Sequence, residues 1–178
     1  NRDALIDYER EEIVTDEAGR PVTRWDGVTY KASPITGEDI PDEAAQVVQV
    51  RYVDPRKAAW PQAHYIVGNP PFIGAATMRR ALGDGYVDAV RRTWPDVPES
   101  ADFVMYWWHI AGETVRAEKA RRFGFITTNS IRQPFNRRVV EAQLSAKDPL
   151  SLAFVVPDHP WVDAADGAAV RIAMTVGV

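Results

Sequence analysis

The sequence predicts an α/β fold: a largely parallel sheet covered by helices, preceded by a lobe of β-hairpins. Three observations carry this reading. From Tyr65 onward, short apolar runs alternate with stretches of helical periodicity, the order expected of a parallel sheet. Residues 1–60 are instead acidic and punctuated by turn formers such as Pro34, Gly37 and Pro41. Near the C-terminus, two strand-like runs follow one another with no helix between them, so an antiparallel pair at one sheet edge is expected.

The elements follow in order. "RPVTRWDGVTYKA" fits a β-hairpin about Asp26-Gly27, a pair suited to a tight primed turn. "VVQVRYVD", from Val47 to Asp54, fits a second strand. "YIVG" reads as a short buried strand, and "AATMRRAL" and "YVDAVRRTW" as helices separated by Gly83-Asp84-Gly85. "ADFVMYWWHIAGETVRAEKA" predicts a long apolar helix with Ser100 as N-cap and Asp102 in its first turn. "RFGFITTN" is a strand, "NRRVVEAQL" a helix, and "LAFVVPD" and "AAVRIAMTVGV" are the final strands. Two domains follow: an acidic hairpin-rich lobe or insertion over 1–60, and a sheet-and-helix part over 61–178.

Composition narrows the function classes. The 178 residues are 46% hydrophobic and 26% charged, ordinary for a soluble domain with a real core. No apolar run approaches a membrane span, so no membrane partner is expected. The absence of cysteine excludes disulfides and cysteine zinc sites, and with residues 1–12 polar and charged the default location is cytoplasmic. The chain opens on Asn1 and closes on an apolar strand-like run, which reads as a piece of a longer protein. A net charge of −4 argues against a free-standing, non-specific nucleic-acid binder. The charge is uneven, however: Arg116, Lys119, Arg121, Arg122, Arg132, Arg137 and Arg138 face only Glu118 over that span. Taken alone, the cluster reads as a solvated helix face.

In a doubly wound sheet, ligands sit at the carboxyl ends of strands, and Asn69-Pro70-Pro71-Phe72 lies at such an end. The prolines fix φ and donate no N–H, so the loop is stiff and its carbonyls stay free. It offers the Asn69 side chain, the Pro70 carbonyl and the Phe72 ring in fixed relation. That set suits a planar amine, with acceptors on the N–H protons and the ring stacked beneath. A plain Asn-Pro turn is the simpler alternative. Other chemistries find little support. His64, His109 and His159 lack metal-ligand spacing, and no metal is expected. No phosphate loop of the GxxxxGK[ST] form, GxSxG elbow or Glu-x-Lys is present.

"IVGNPPF" resembles the catalytic motif of S-adenosylmethionine-dependent amino-methyltransferases. With "ADFVMYWW", "FGFITTNSIRQ" and "DHPWVDAADGAAVRIAMTVG", it resembles the large DNA adenine-N6 methylases of bacterial defence systems. It is most like those fused with a restriction nuclease in one chain, the type IIG/IIL kind. The resemblance covers about residues 60–178, and "PVTRWDG" and "RYVDPRKAAWPQA" are similar to the lead-in of that group. It implies a partial Rossmann-like methyltransferase sheet, S-adenosylmethionine as cofactor, and double-stranded DNA with a flipped adenine as partner. It further implies that Asn69 and Pro70 are the acceptors, Pro71 keeps the corner rigid and Phe72 is the stacking face. Phe103 matches an apolar position near the cofactor's adenine, with core packing as the alternative. Trp161 matches a second aromatic near the flipped base, or is a packed strand-end tryptophan. Asn129 and Ser130 end the next strand beside the Asn69 corner, and Arg132, Arg137 and Arg138 follow within reach of phosphates.

One part of the family pattern is missing: nothing before His64 fits the glycine-rich cofactor turn. The chain is therefore expected to start after the first strands of a parent domain, to depend on the rest of that polypeptide, and to be inactive alone. The "YIVG" strand would then lie at a raw sheet edge open to self-association. Two rivals remain: a methyltransferase acting on RNA guanine or protein glutamine, which share Asn-Pro-Pro-aromatic, and a non-catalytic methylase-like interaction module.

Overall fold

The computed structural model describes residues 2–161 and 170–178. The chain divides into two compact units, residues 1–58 with 76–93, and residues 59–75 with 94–178. The segment 76–93, expected beside the sheet, thus belongs with the hairpin lobe.

The first unit is built from short antiparallel pairs: β1 (Ile6–Asp7), β2 (Arg10–Ile13), β3 (Thr23–Trp25), β4 (Tyr30–Ala32), β5 (Asp39–Pro41), β6 (Gln46–Val48), β7 (Val50–Val53) and β8 (Arg56–Lys57). The pairs are β1 with β8, β2 with β7, β3 with β6 and β4 with β5. The hairpin expected about Asp26-Gly27 is therefore not formed. Asp26 turns its carboxylate onto the amides of Val28 and Thr29 (2.9 Å each) and onto the Thr29 hydroxyl, curling the chain out of register. Gly27 takes φ 85°, and β3 and β4 find their partners further along the chain. The expected strand from Val47 is present as β6 and β7, broken at Gln49. Helices α1 (Met78–Leu82) and α2 (Asp84–Thr93) follow, with Gly83 stopping the first. Val87, Ala89 and Val90 of α2 are fully buried, and Tyr86 donates to Asp3 at 2.6 Å.

The second unit holds the sheet. Its strands are β9 (Tyr65–Gly68), β10 (Arg122–Thr128), β11 (Leu152–Pro160) and β12 (Arg171–Gly177), in the order β11-β12-β10-β9. β9 and β10 are parallel, while β12 runs antiparallel to both its neighbours. The architecture is thus mixed α/β, with the expected antiparallel pair at the β11 edge. β9 forms the opposite edge among the described residues. It is not buried as expected: Val67 is 85% exposed and Tyr65 lies on the same open face.

Helices α3 (Val104–Arg116) and α4 (Pro134–Leu144) complete this unit. α3 buries Met105, Tyr106, Trp108, Ile110 and Ala111, as its nearly all-apolar sequence requires. Trp108 meets Phe123 edge-on at 5.2 Å and donates Nε1–H to the Thr175 hydroxyl at 3.1 Å, fastening the helix to the sheet. Gly112 lets α4 approach: a Cβ there would lie 3.1 Å from Gln143. Ser100 does not cap α3, and Asp102 precedes its first turn, because the helix begins at Val104 behind Phe103. α4 starts on Pro134, whose missing N–H costs nothing in a first turn. No helix among the described residues is long and apolar enough to cross a membrane.

Candidate active site

β9 delivers the Asn-Pro-Pro-Phe corner. Its last residue, Gly68, lies opposite Phe125 of β10, and a Cβ on Gly68 would sit 3.2 Å from the Phe125 ring. The missing side chain lets the corner rest on that ring. Only Pro70 of the corner is buried: Asn69 and Pro71 are exposed, and Phe72 is 37% exposed. A buried proline anchors the loop without leaving an N–H to satisfy. The exposed Asn69 and the partly exposed Phe72 remain available to a ligand.

The chain beyond Phe72 is pinned twice. The Ile73 carbonyl accepts the Phe103 amide at 2.8 Å, and the Ala75 amide donates to Asp102 Oδ1 at 3.1 Å. Asp102 Oδ2 accepts from Ser130 Oγ at 2.6 Å and from Asn136 Nδ2 at 2.7 Å. Asn136 Oδ1 in turn accepts the Asp102 amide at 2.8 Å, and its Nδ2 also donates to the Ser130 carbonyl at 2.9 Å. The carboxylate thus gathers three donors from three segments. Neither Asp102 nor Asn136 is apparent as a site residue in the sequence. The available signal is on α4, whose inward positions Asn136 and Gln143 are polar and buried beside Val139.

β10 outruns β9: it continues from Phe125 to Thr128, three residues past the last paired position, about 10 Å at ~3.3 Å per residue. A 3₁₀ turn over Asn129–Arg132 follows. Ser130 is brought to the Asn-Pro-Pro-Phe loop through Asp102, as described. Asn129 is not: its amide donates to Asp158 of β11 at 3.2 Å. Arg171 also holds Asp158, at 2.6 Å, and that guanidinium bond is the main reason its carboxyl stays below the usual range.

The arginines sort differently. Arg132 and Arg137 line a cavity of about 320 Å³ between α4 and the sheet, with Ile131, Val140, Val155 and Ala173. Arg137 also pairs with Glu141 at 2.7 Å, and Arg138 lies over the Phe135 ring at 5.6 Å. Arg116 bonds the Asp148 carbonyl and Gln143, so it serves the fold. Trp161, just past β11, is 45% exposed, and its amide donates to the Val170 carbonyl at 3.0 Å. Of the "DHPWVDAADGAAV" stretch, residues 162–169 lie outside the described residues.

Phe103 is 3% exposed, with Trp107 edge-on at 4.7 Å and Tyr106 tilted against it at 6.2 Å. Its ring is packed, as the core alternative expects, and presents no open face to a cofactor. Asp96, His109 and Glu113 bring ligand atoms within 4.8 Å of one another. The network argues against a metal here. Arg116 donates to Gln143 Oε1, so the Gln143 NH₂ group faces His109 Nδ1 at 3.2 Å. Nδ1 must then accept, and Nε2 carries its proton toward Glu113, 3.4 Å away, where a metal would need a lone pair.

A sequence model of the MmeI DNA-methyltransferase domain matches residues 9–178. The chain belongs to this family. It is a DNA-methyltransferase domain of the MmeI type. Among solved structures, the chain is similar to the type IIL restriction-modification enzyme MmeI in complex with DNA. Identity is 21% and the TM-score 0.46, covering 64% of this chain and 15% of that one. The chain thus spans about 15% of the solved enzyme's length, and a superposition at that score adds no weight to the family match. No curated protein matches the sequence.

Proposed function

We propose that this MmeI-type domain methylates the N6 amine of adenine in DNA, within a restriction-modification system. The observation that carries the reading is the corner itself. Asn69 is exposed beside a buried Pro70, with the Phe72 ring half open and the following residues pinned at Ile73 and Ala75. An exocyclic adenine amine is a poor nucleophile, because its lone pair is delocalised into the ring. In this reading the Asn69 side-chain oxygen and the Pro70 carbonyl accept its two N–H bonds, shifting density onto nitrogen and compensating the positive charge that develops there. This is preorganised electrostatic stabilisation, and no strong base is required. The adenine must leave the duplex to be reached, and Phe72 stacks on it once it has. Ser130, Trp161, Asn129, Arg132, Arg137 and Arg138 are proposed as flanking DNA contacts. For Arg137 that role means exchanging Glu141 for a phosphate.

S-adenosylmethionine, the donor implied by the family, would supply an electrophilic methyl group. The described residues do not by themselves fit it: the Phe103 ring is buried against Trp107 and Tyr106, and no glycine-rich turn precedes His64. The roles proposed for this chain therefore stop at the target amine. Asn69→Ala, in the complete polypeptide that carries this domain, should slow methyl transfer about 10²–10³-fold while DNA affinity changes little. Near wild-type turnover by this variant would overturn the reading.

A further inference from the structure

We propose that Asp102 and Asn136 are positioning residues for the transfer, a pair that holds the Asn-Pro-Pro-Phe corner in its reactive geometry. The inference rests on the methyltransferase reading above. Its basis is the convergence at one carboxylate. Asp102 receives the Ala75 amide, the Ser130 hydroxyl and the Asn136 amide, and has no donor of its own at the side chain. An acceptor-only group matches three donors as a neutral amide cannot. The segments it joins matter as much as the bonds. Ala75 lies three residues past Phe72, Ser130 lies just past β10, and Asn136 stands in the first turn of α4. Thr128, the last residue of β10, extends the chain through its hydroxyl contact with Ser130.

The corner is therefore held from both sides. β9 and the Phe125 ring fix its entry, and Asp102, with the Phe103 amide on the Ile73 carbonyl, fixes its exit. Asn136 is 2% exposed and makes complementary bonds to the Asp102 main chain and side chain, so the carboxylate cannot rotate away without breaking them. Neither residue is placed to touch the amine. Their effect passes through Ala75 and Ile73 to the acceptors at Asn69 and Pro70. Misplacement of a reacting group by 1 Å can cost about 10²-fold in rate.

The test uses the complete polypeptide carrying this domain, and compares Asp102→Asn, the exchange Asp102→Asn with Asn136→Asp, and Asn69→Ala. Single-turnover methyl transfer, DNA Kd and Tm are measured for each. Asp102→Asn sets an NH₂ group against N–H donors, and its rate should fall about 10–10²-fold with DNA Kd unchanged to within about threefold. The exchange returns one carboxylate and one amide to the pair but removes the donor to the Ser130 carbonyl, so it should recover part of the lost rate. A purely structural role would lower Tm and leave the rate per folded molecule alone. An Asp102→Asn enzyme at wild-type rate, beside an inactive Asn69→Ala, overturns this inference and leaves the methyltransferase reading standing. An exchange variant no faster than Asp102→Asn also overturns it. Full activity of Asn69→Ala overturns the reading itself. Should Asp102→Asn not fold, Asn136→Ala decides, with the rate taken per folded molecule: a slower rate at unchanged Kd supports the inference, and a wild-type rate refutes it.

Discussion

Asn136→Ala should destabilise the sheet-bearing unit by about 4 kcal/mol, a large share of the ~5–15 kcal/mol that holds a typical domain folded. The figure follows from its three main bonds. The Asp102 amide loses its acceptor at 2.8 Å, the Ser130 carbonyl its donor at 2.9 Å, and the Asp102 carboxylate a charge-assisted donor at 2.7 Å. A net ~1 kcal/mol for each neutral bond and ~2 kcal/mol for the charged one give that total. Only 2% of the residue is exposed, so water cannot readily replace the lost partners. Urea unfolding followed by tryptophan fluorescence, with native-state exchange of the Asp102 amide, measures the cost. A loss below about 1 kcal/mol would show that the network is loose and that its partners are solvated when Asn136 is gone.

Phe72→Ala should weaken the hold on an extrahelical adenine by about 1–3 kcal/mol, while Phe72→Trp is tolerated. A fluorescent adenine analogue at the target reports this, and an equal response from wild type and Phe72→Ala would count against stacking. In the hairpin lobe, burial raises the Tyr52 phenol to about 12 and raises Tyr86 further, the latter helped by its bond to Asp3. The folded state then keeps protons that the unfolded chain releases near pH ~10. That stabilisation is complete below about pH 10 and is lost as pH rises through about 12. Tyrosinate absorbance should show Tyr52 and Tyr86 ionising above pH ~10; a single transition of all six tyrosines near pH 10 would refute their burial. β9 is an edge strand among the described residues, with Val67 exposed, so this chain should self-associate with rising concentration, and Val67→Lys should suppress it. Light scattering that gives the same monomer mass at every concentration would contradict that expectation.

Local chemistry was legible where it acts locally. The double proline after "YIVG" announced the end of β9 and a rigid corner, and apolar periodicity announced α3, β10 and α4. Pairing between distant segments was not legible. Asp26-Gly27 carries the signature of a tight hairpin, yet the Asp26 carboxylate captures the Val28 and Thr29 amides and β3 pairs with β6 instead. Asp102 resembles a first-turn helix acid, and its real partners, Ala75, Ser130 and Asn136, lie up to 34 residues away. "YIVG" resembles a buried strand because apolar residues fill both its faces. Burial of the Tyr65 and Val67 face depends on what covers it, and no described residue does so.

The central claim is that the Asn69 corner directs a methyl group to the amine of adenine in DNA. Its most direct test is the identity of the product. Duplex DNA is incubated with the complete polypeptide and methyl-labelled S-adenosylmethionine, digested to nucleosides, and separated by chromatography with mass detection. Label in N6-methyladenine from the wild type, and its near absence with Asn69→Ala, is the predicted result. Label in a cytosine product, or N6-methyladenine formed equally by both proteins, would contradict the account.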